Sequence, residues 1–149
     1  MHKIRLCILA GLLSALTILF FSIYALNDGG ASLIRAAVDG DLRKTRQLLD
    51  SEANVHYQDG WSGTALMYAV VNGHLEIVKE LMAAGAHINE RSRHNRTPLM
   101  HAAKHGHTDI VIYLIQYGAD ISLVDRNGMS AADLAEKEKA DSIPKRNTG

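Results

Sequence analysis

Cysteine is nearly absent. Cys7 stands alone, so the chain can close no internal disulfide and has no cysteine pair with which to hold zinc. An excess of one charge is absent as well. Sixteen Lys and Arg face sixteen Asp and Glu, for a formal net charge of zero, which removes the global electrostatic case for nucleic acid or an anionic membrane surface. The one thiol lies within an apolar stretch, and no phosphate-binding glycine loop occurs. No Ser/His/Asp order or carboxylate pair stands out either. No catalytic residue and no cofactor site is therefore assigned, and the protein is read as a non-enzyme.

What the chain does have is a period. The stretch Thr64 to Asn89, TALMYAVVNGHLEIVKELMAAGAHIN, returns from Thr97 to Ser122 as TPLMHAAKHGHTDIVIYLIQYGADIS. Thr64 becomes Thr97, Leu66 becomes Leu99, Gly73-His74 becomes Gly106-His107, and Gly85-Ala86 becomes Gly118-Ala119. Self-similarity at a fixed period of this length signals a repeat array, in which no unit buries its apolar face alone.

These residues carry a resemblance to ankyrin-repeat proteins. The T-P-L-H-x-A start is matched by Thr97-Pro98-Leu99, the G-H before the second helix by Gly106-His107, and the G-A-D end by Gly118-Ala119-Asp120. Thr64-Ala65-Leu66 and Gly73-His74-Leu75-Glu76-Ile77-Val78 match too. The resemblance covers residues 31–140 and implies an all-α solenoid of about 3.5–4 helix-turn-helix repeats, at 31–58, 59–91, 92–124 and 125–140. Residues 141–149 read as a frayed tail.

Within each unit the recurring residues have physical tasks. Thr64 and Thr97 suit helix N-caps, and Pro98 suits a first helical position, where its missing N–H costs nothing. Asp41 takes the place of His74 and His107 and is a good cap for a second helix. The glycines fall just past helix ends. Ile77, Val78, Leu81 and Met82 make one stripe at helical spacing, repeated by Ile110, Val111, Leu114 and Ile115. Repeat four starts well but runs into Glu136-Lys137-Glu138-Lys139, so its second helix is expected to be missing and the unit to act as a cap.

Ahead of the repeats lies a different segment. After His2, Lys3 and Arg5 come 22 uncharged residues, Leu6 to Asn27, long enough to cross a hydrocarbon core of about 30 Å as a helix. An uncleaved signal anchor over 1–27 is expected, joined by a short linker at 28–30. A cleaved signal peptide, leaving a secreted or periplasmic domain, is the alternative. Lys3 and Arg5 before the segment place the repeats on the non-cytoplasmic side of a membrane.

The resemblance implies a non-catalytic protein–protein interaction module that binds through hairpin tips and the concave face of the first helices. Those positions are Gln58, Gly60, Trp61 and Asn72 in repeat two. They are Arg91, Arg93, His94, Arg96, Lys104 and His105 in repeat three, and Val124, Arg126, Asn127 and Met129 in repeat four. Trp61, the only tryptophan, is a natural partner anchor. From Arg91 to His107 there are four Arg or Lys, four His and no acid, a locally basic face suited to an acidic, membrane-proximal protein partner. Its histidines would tighten such binding at lower pH. An inhibitor of an exported or membrane-acting enzyme is a second reading. A metal site at His101, His105 and His107 is a third, since the first two share a helix face.

Overall fold

A computed structural model describes residues 29–142, and these contain seven helices and no strand. The helices are α1 (29–39), α2 (Leu42–Asp50), α3 (Ala65–Val71), α4 (Leu75–Ala83), α5 (Pro98–Lys104), α6 (Thr108–Gln116) and α7 (Ala131–Ser142). None of them is long and apolar enough to cross a membrane. The expected anchor at 1–27 lies outside the described residues, as do residues 143–149 of the expected tail.

The helices start where the hydroxyls and the aspartate are. Thr64 Oγ1 accepts from the Met67 N–H and Thr97 Oγ1 from the Met100 N–H, both at 3.3 Å, while Asp41 Oδ1 accepts from the Lys44 N–H at 2.8 Å. Each such cap is worth about 1 kcal/mol. His74 and His107 occupy the place of Asp41 but make no cap. Their rings reach back instead, His74 Nε2 to the Val38 carbonyl at 3.3 Å and His107 Nε2 to the Val71 carbonyl at 3.0 Å. Each histidine thus ties its repeat to the one before. Gly40 and Gly73, at φ of 73° and 76°, lie under these rings, and a Cβ on either would strike the imidazole. Glycine is needed there twice over, for its backbone and for its missing side chain.

Packing makes two layers. Helices α3, α5 and α7 pack in sequence along one, and α2, α4 and α6 along the other. Leu66, Ala69, Val70, Ile77, Val78 and Leu81 of repeat two join Leu99, Ala102, Ile110 and Leu114 of repeat three in one buried cluster. The stripes expected from the period are therefore the core, with one exception: Ile115, expected in the stripe of repeat three, is 48% exposed.

Two boundaries differ from the expectation. Residues 29 and 30, expected in a linker, are already helical, and Gly30 is buried against Tyr57 with no room for a Cβ. At the other end α7 runs for 12 residues, into the segment expected to fray. Gly40, Gly73 and Gly106 each end a first helix, but one period after Gly106 stands Lys139. Without a residue that tolerates positive φ, the helix has no turn to make and continues.

Candidate interaction surface

Between the helix pairs, the chain makes tight hairpins whose tips stack along one edge. Each is closed by a backbone bond, Asp59 N–H to the Gly63 carbonyl at 3.1 Å, Ser92 N–H to that of Arg96 at 2.9 Å, and Asp125 N–H to that of Met129 at 2.9 Å. Neighbouring tips are laced together. The Arg93 N–H donates to the Trp61 carbonyl at 3.1 Å, and the Arg126 N–H to the His94 carbonyl at 3.3 Å.

A carboxylate organises the first and last of these hairpins. Asp59 Oδ1 accepts from the N–H groups of Trp61 and Gly63 at 2.8 and 2.9 Å, and Oδ2 accepts from the Tyr68 hydroxyl at 2.5 Å. Asp125 repeats the arrangement with the N–H groups of Asn127 and Met129 at 2.8 and 3.2 Å. Its other oxygen takes Arg96 Nε at 3.1 Å, with the carboxylate side chain only 1% exposed. Burial works against both charges, but the hydrogen bonds outweigh it and hold both carboxyls below their ordinary pKa. The bond to Asp59, helped by burial, pushes the Tyr68 phenol up to about 12. Neither aspartate stands out in the sequence by residue type. The signal that marks them is the spacing, since Asp59, Ser92 and Asp125 occupy the same position in three successive periods.

The structure brings Trp61 and Arg93 together. Trp61 is 63% exposed, and the Arg93 guanidinium lies 5.4 Å from its ring centroid. Such a contact is worth about 0.5–1 kcal/mol at an exposed site and leaves much of the indole in solvent. Arg91, His94, Arg126 and Asn127 lie at or near the same edge, with Gly60 open beside Trp61. Arg96, Lys104, Asn127 and Met129 line a cavity of about 250 Å³ between this edge and α7.

Three sequence-based readings are modified by the structure. Arg96 is paired with the buried Asp125 and so serves the fold as well. The basic run does not stay unopposed, because Glu138 and Asp141 of α7 join Lys104 and Lys137 around that cavity, and Arg91 lies in the field of Asp120. Two of the histidines do not favour a positive charge. Burial, reinforced by Arg96, His105, Lys104 and His94, pushes His101 down to about 4, and burial with Lys104 and His107 lowers His105. Burial and the neighbouring cations thus work against the charged form of both rings, which a pH switch would need.

The remaining positions serve the fold in part. Gln58 Nε2 donates to Glu90 at 2.9 Å, and Asn72 Nδ2 donates to the Tyr68 carbonyl at 2.8 Å at the end of α3. Val124 is 42% exposed and gives its carbonyl to Asn95 Nδ2 at 3.1 Å. His107 has one ring nitrogen engaged by Val71, and its ring stacks at 6.2 Å from that of His105. Among the described residues no group of three His, Cys, Asp or Glu is placed to hold a metal ion.

A family model for ankyrin repeats, in three copies, matches residues 33–125 of the chain. A comparison with curated proteins returns no match.

Proposed function

The chain belongs to the ankyrin-repeat family, and from that premise we propose that it holds an acidic segment of a protein partner against its hairpin tips. Ankyrin repeats are protein–protein interaction modules, and in general not catalysts. The finer reading rests on Trp61, an exposed aromatic that the fold does not consume, with Arg93 seated on it. Aromatic and arginine side chains dominate interface energetics. His94 and Arg126 extend the same edge, with Lys104 behind it at the mouth of the adjoining cavity. The charges speed and orient the encounter, while the desolvated Trp61 face supplies most of the affinity. Tethering at a membrane through residues 6–27 belongs to the same proposal and rests on the length of that uncharged stretch alone. Inhibition of an exported enzyme would be one consequence of such binding.

The experiment is crosslinking and affinity capture with the wild-type chain and with a W61A/R93E/K104E variant. A protein held by the first, lost from the second and released by moderate salt is the expected result. A partner held equally by both would overturn the assignment of this edge.

A further inference from the structure

Repeat three departs from the period on a second surface, away from the tips. Where repeat two carries Lys79 and Ala84, repeat three carries Ile112 and Tyr117. These are 52% and 61% exposed, beside Ile115 at 48% and Ile121 at 64%. Single exposed apolar residues are ordinary, but a contiguous group marks an interaction site. On α4 the matching outward positions hold Glu76 and Lys79, paired with each other at 2.7 Å.

The group runs into a groove of about 500 Å³ between α6 and α7, lined by Val111, Ile115, Ile121, Ala131 and Ala135 among others. This is where the α2–α4–α6 layer ends among the described residues. Val78, under α6, is 0% exposed, whereas its counterpart Val111 is only partly buried. Ile115 lines the groove and lies one helical turn from Ile112, so the groove and the outward face of α6 make one apolar surface.

We propose that this surface is where a second copy of the chain docks, each copy presenting α6 and the α6–α7 groove to the other. Charge selects this occupant. A two-fold contact sets a patch against itself, which a single-signed patch resists and a neutral or mixed one permits. Helix α6 carries a single charged residue, Asp109, and the groove is rimmed by one acid and one base, Glu138 and Lys139. The basic tip edge could not pair with itself in this way. With zero net charge, two copies also meet no long-range repulsion. Area agrees. The smallest specific interfaces draw a few hundred square ångströms from each partner. Four large apolar side chains, the least exposed of them Ile115 at 48%, supply an area of that order before the groove is counted.

The test compares the full chain with an I112K/Y117A variant. The two replacements install the residues that repeat two carries on the same backbone, so folding is expected to survive, and a circular-dichroism melt verifies it. Both chains are measured by sedimentation equilibrium in mild detergent from low to high micromolar concentration. The wild type is expected to dimerise, and the variant's dissociation constant to rise by about tenfold or more. A wild-type chain that stays monomeric throughout would overturn the proposal. So would a variant that dimerises as well as the wild type, because the contact would then lie elsewhere in the chain. Attachment of a monomeric wild type to lipid vesicles, lost in the variant, would overturn it in favour of a lipid surface.

Discussion

Repeats two and three hold nearly the same backbone. Gly73 and Gly106 have φ of 76° and 72°, Gly85 and Gly118 both have 90°, and Ser62 and Asn95 have 56° and 61°. Their cores match at most positions, with Leu66, Ile77 and Leu81 buried like Leu99, Ile110 and Leu114, and differ at Val78, which is fully buried where Val111 is only partly so. Their surfaces do not match. Trp61 stands where His94 follows, Gly60 where Arg93 follows, and Lys79 where Ile112 follows. The period records the demands of folding, and the departures from it show where solvent or a partner is addressed. Within such an array, a residue that breaks the period at an exposed position is worth more attention than one that keeps it.

The strongest way to break the comparison is in the core. Leu81 has α2 and α6 flanking its helix, while the helix of Leu114 borders the open groove. Truncation of a buried leucine to alanine costs about 2–5 kcal/mol, less where neighbours can collapse into the space. Leu81→Ala is expected near the top of that range and Leu114→Ala near the bottom, by chemical denaturation. Equal losses would mean that the groove side of repeat three is as rigidly packed as the middle of the array.

A smaller contrast sets the two aspartate hairpins against each other. Asp125→Ala strands Arg96 and two N–H groups at a buried site and is expected to cost about 3 kcal/mol. Asp59→Ala, at a more open hairpin, is expected to cost about 1–2 kcal/mol. Both carboxyls have lowered folded pKa values. The stability they contribute is therefore present above the unfolded value near 3.8 and is lost as pH falls through the folded one. Asn at either position should flatten that acid limb in a pH series of melts.

Repeats two and three also differ at one equivalent first-helix position, Tyr68 in one and His101 in the other. Tyr68 has its folded pKa raised to about 12, so its contribution is complete below the ordinary value of 10.0 and is lost as pH rises through about 12. His101 is lowered from 6.5 to about 4, so the unfolded chain binds the extra proton between those values and stability falls as pH drops through that window. The predicted difference is on the order of 3 kcal/mol across the window for His101. His101→Gln should remove that slope, and Tyr68→Phe should leave it while removing the alkaline one. A wild-type melting temperature that is flat between pH 6.5 and about 4 would contradict the burial of His101.

The fold was legible in the sequence because each fold-determining task is local and recurs. A threonine caps, a glycine turns, and a stripe of Ile, Val and Leu buries itself, each at a fixed offset. The site was legible only where a residue type is rare or charge is dense, as with Trp61 and Arg93. Arg96 looked like one more surface cation because its partner, Asp125, lies in the next repeat. Asp41 reads as a cap, but the histidines that hold its place in the next two repeats do not, and only stacking shows their rings reaching the previous repeat. The exposed stripe of α6 was hidden for the opposite reason. Ile112 sits among Ile110, Val111, Leu114 and Ile115, and an apolar run does not declare which member faces out.

That last residue gives the smallest effect on stability and the sharpest reading of the comparison. At low protein concentration Ile112→Lys is expected to change stability by no more than about 0.5 kcal/mol, as surface substitutions do. The sign should be slightly favourable, because Asp109 lies one turn earlier and can pair with the new lysine, as Glu76 pairs with Lys79 on α4. Such pairs contribute about 0.2–0.5 kcal/mol and fade with salt. Were Ile112 part of the packed core, the cost would instead exceed about 1 kcal/mol at every salt concentration. Raising the protein concentration separates the two roles. A native chain that pairs through α6 gains apparent stability by mass action, and the lysine variant does not. The melting temperatures of the two proteins should therefore agree when dilute and diverge when concentrated.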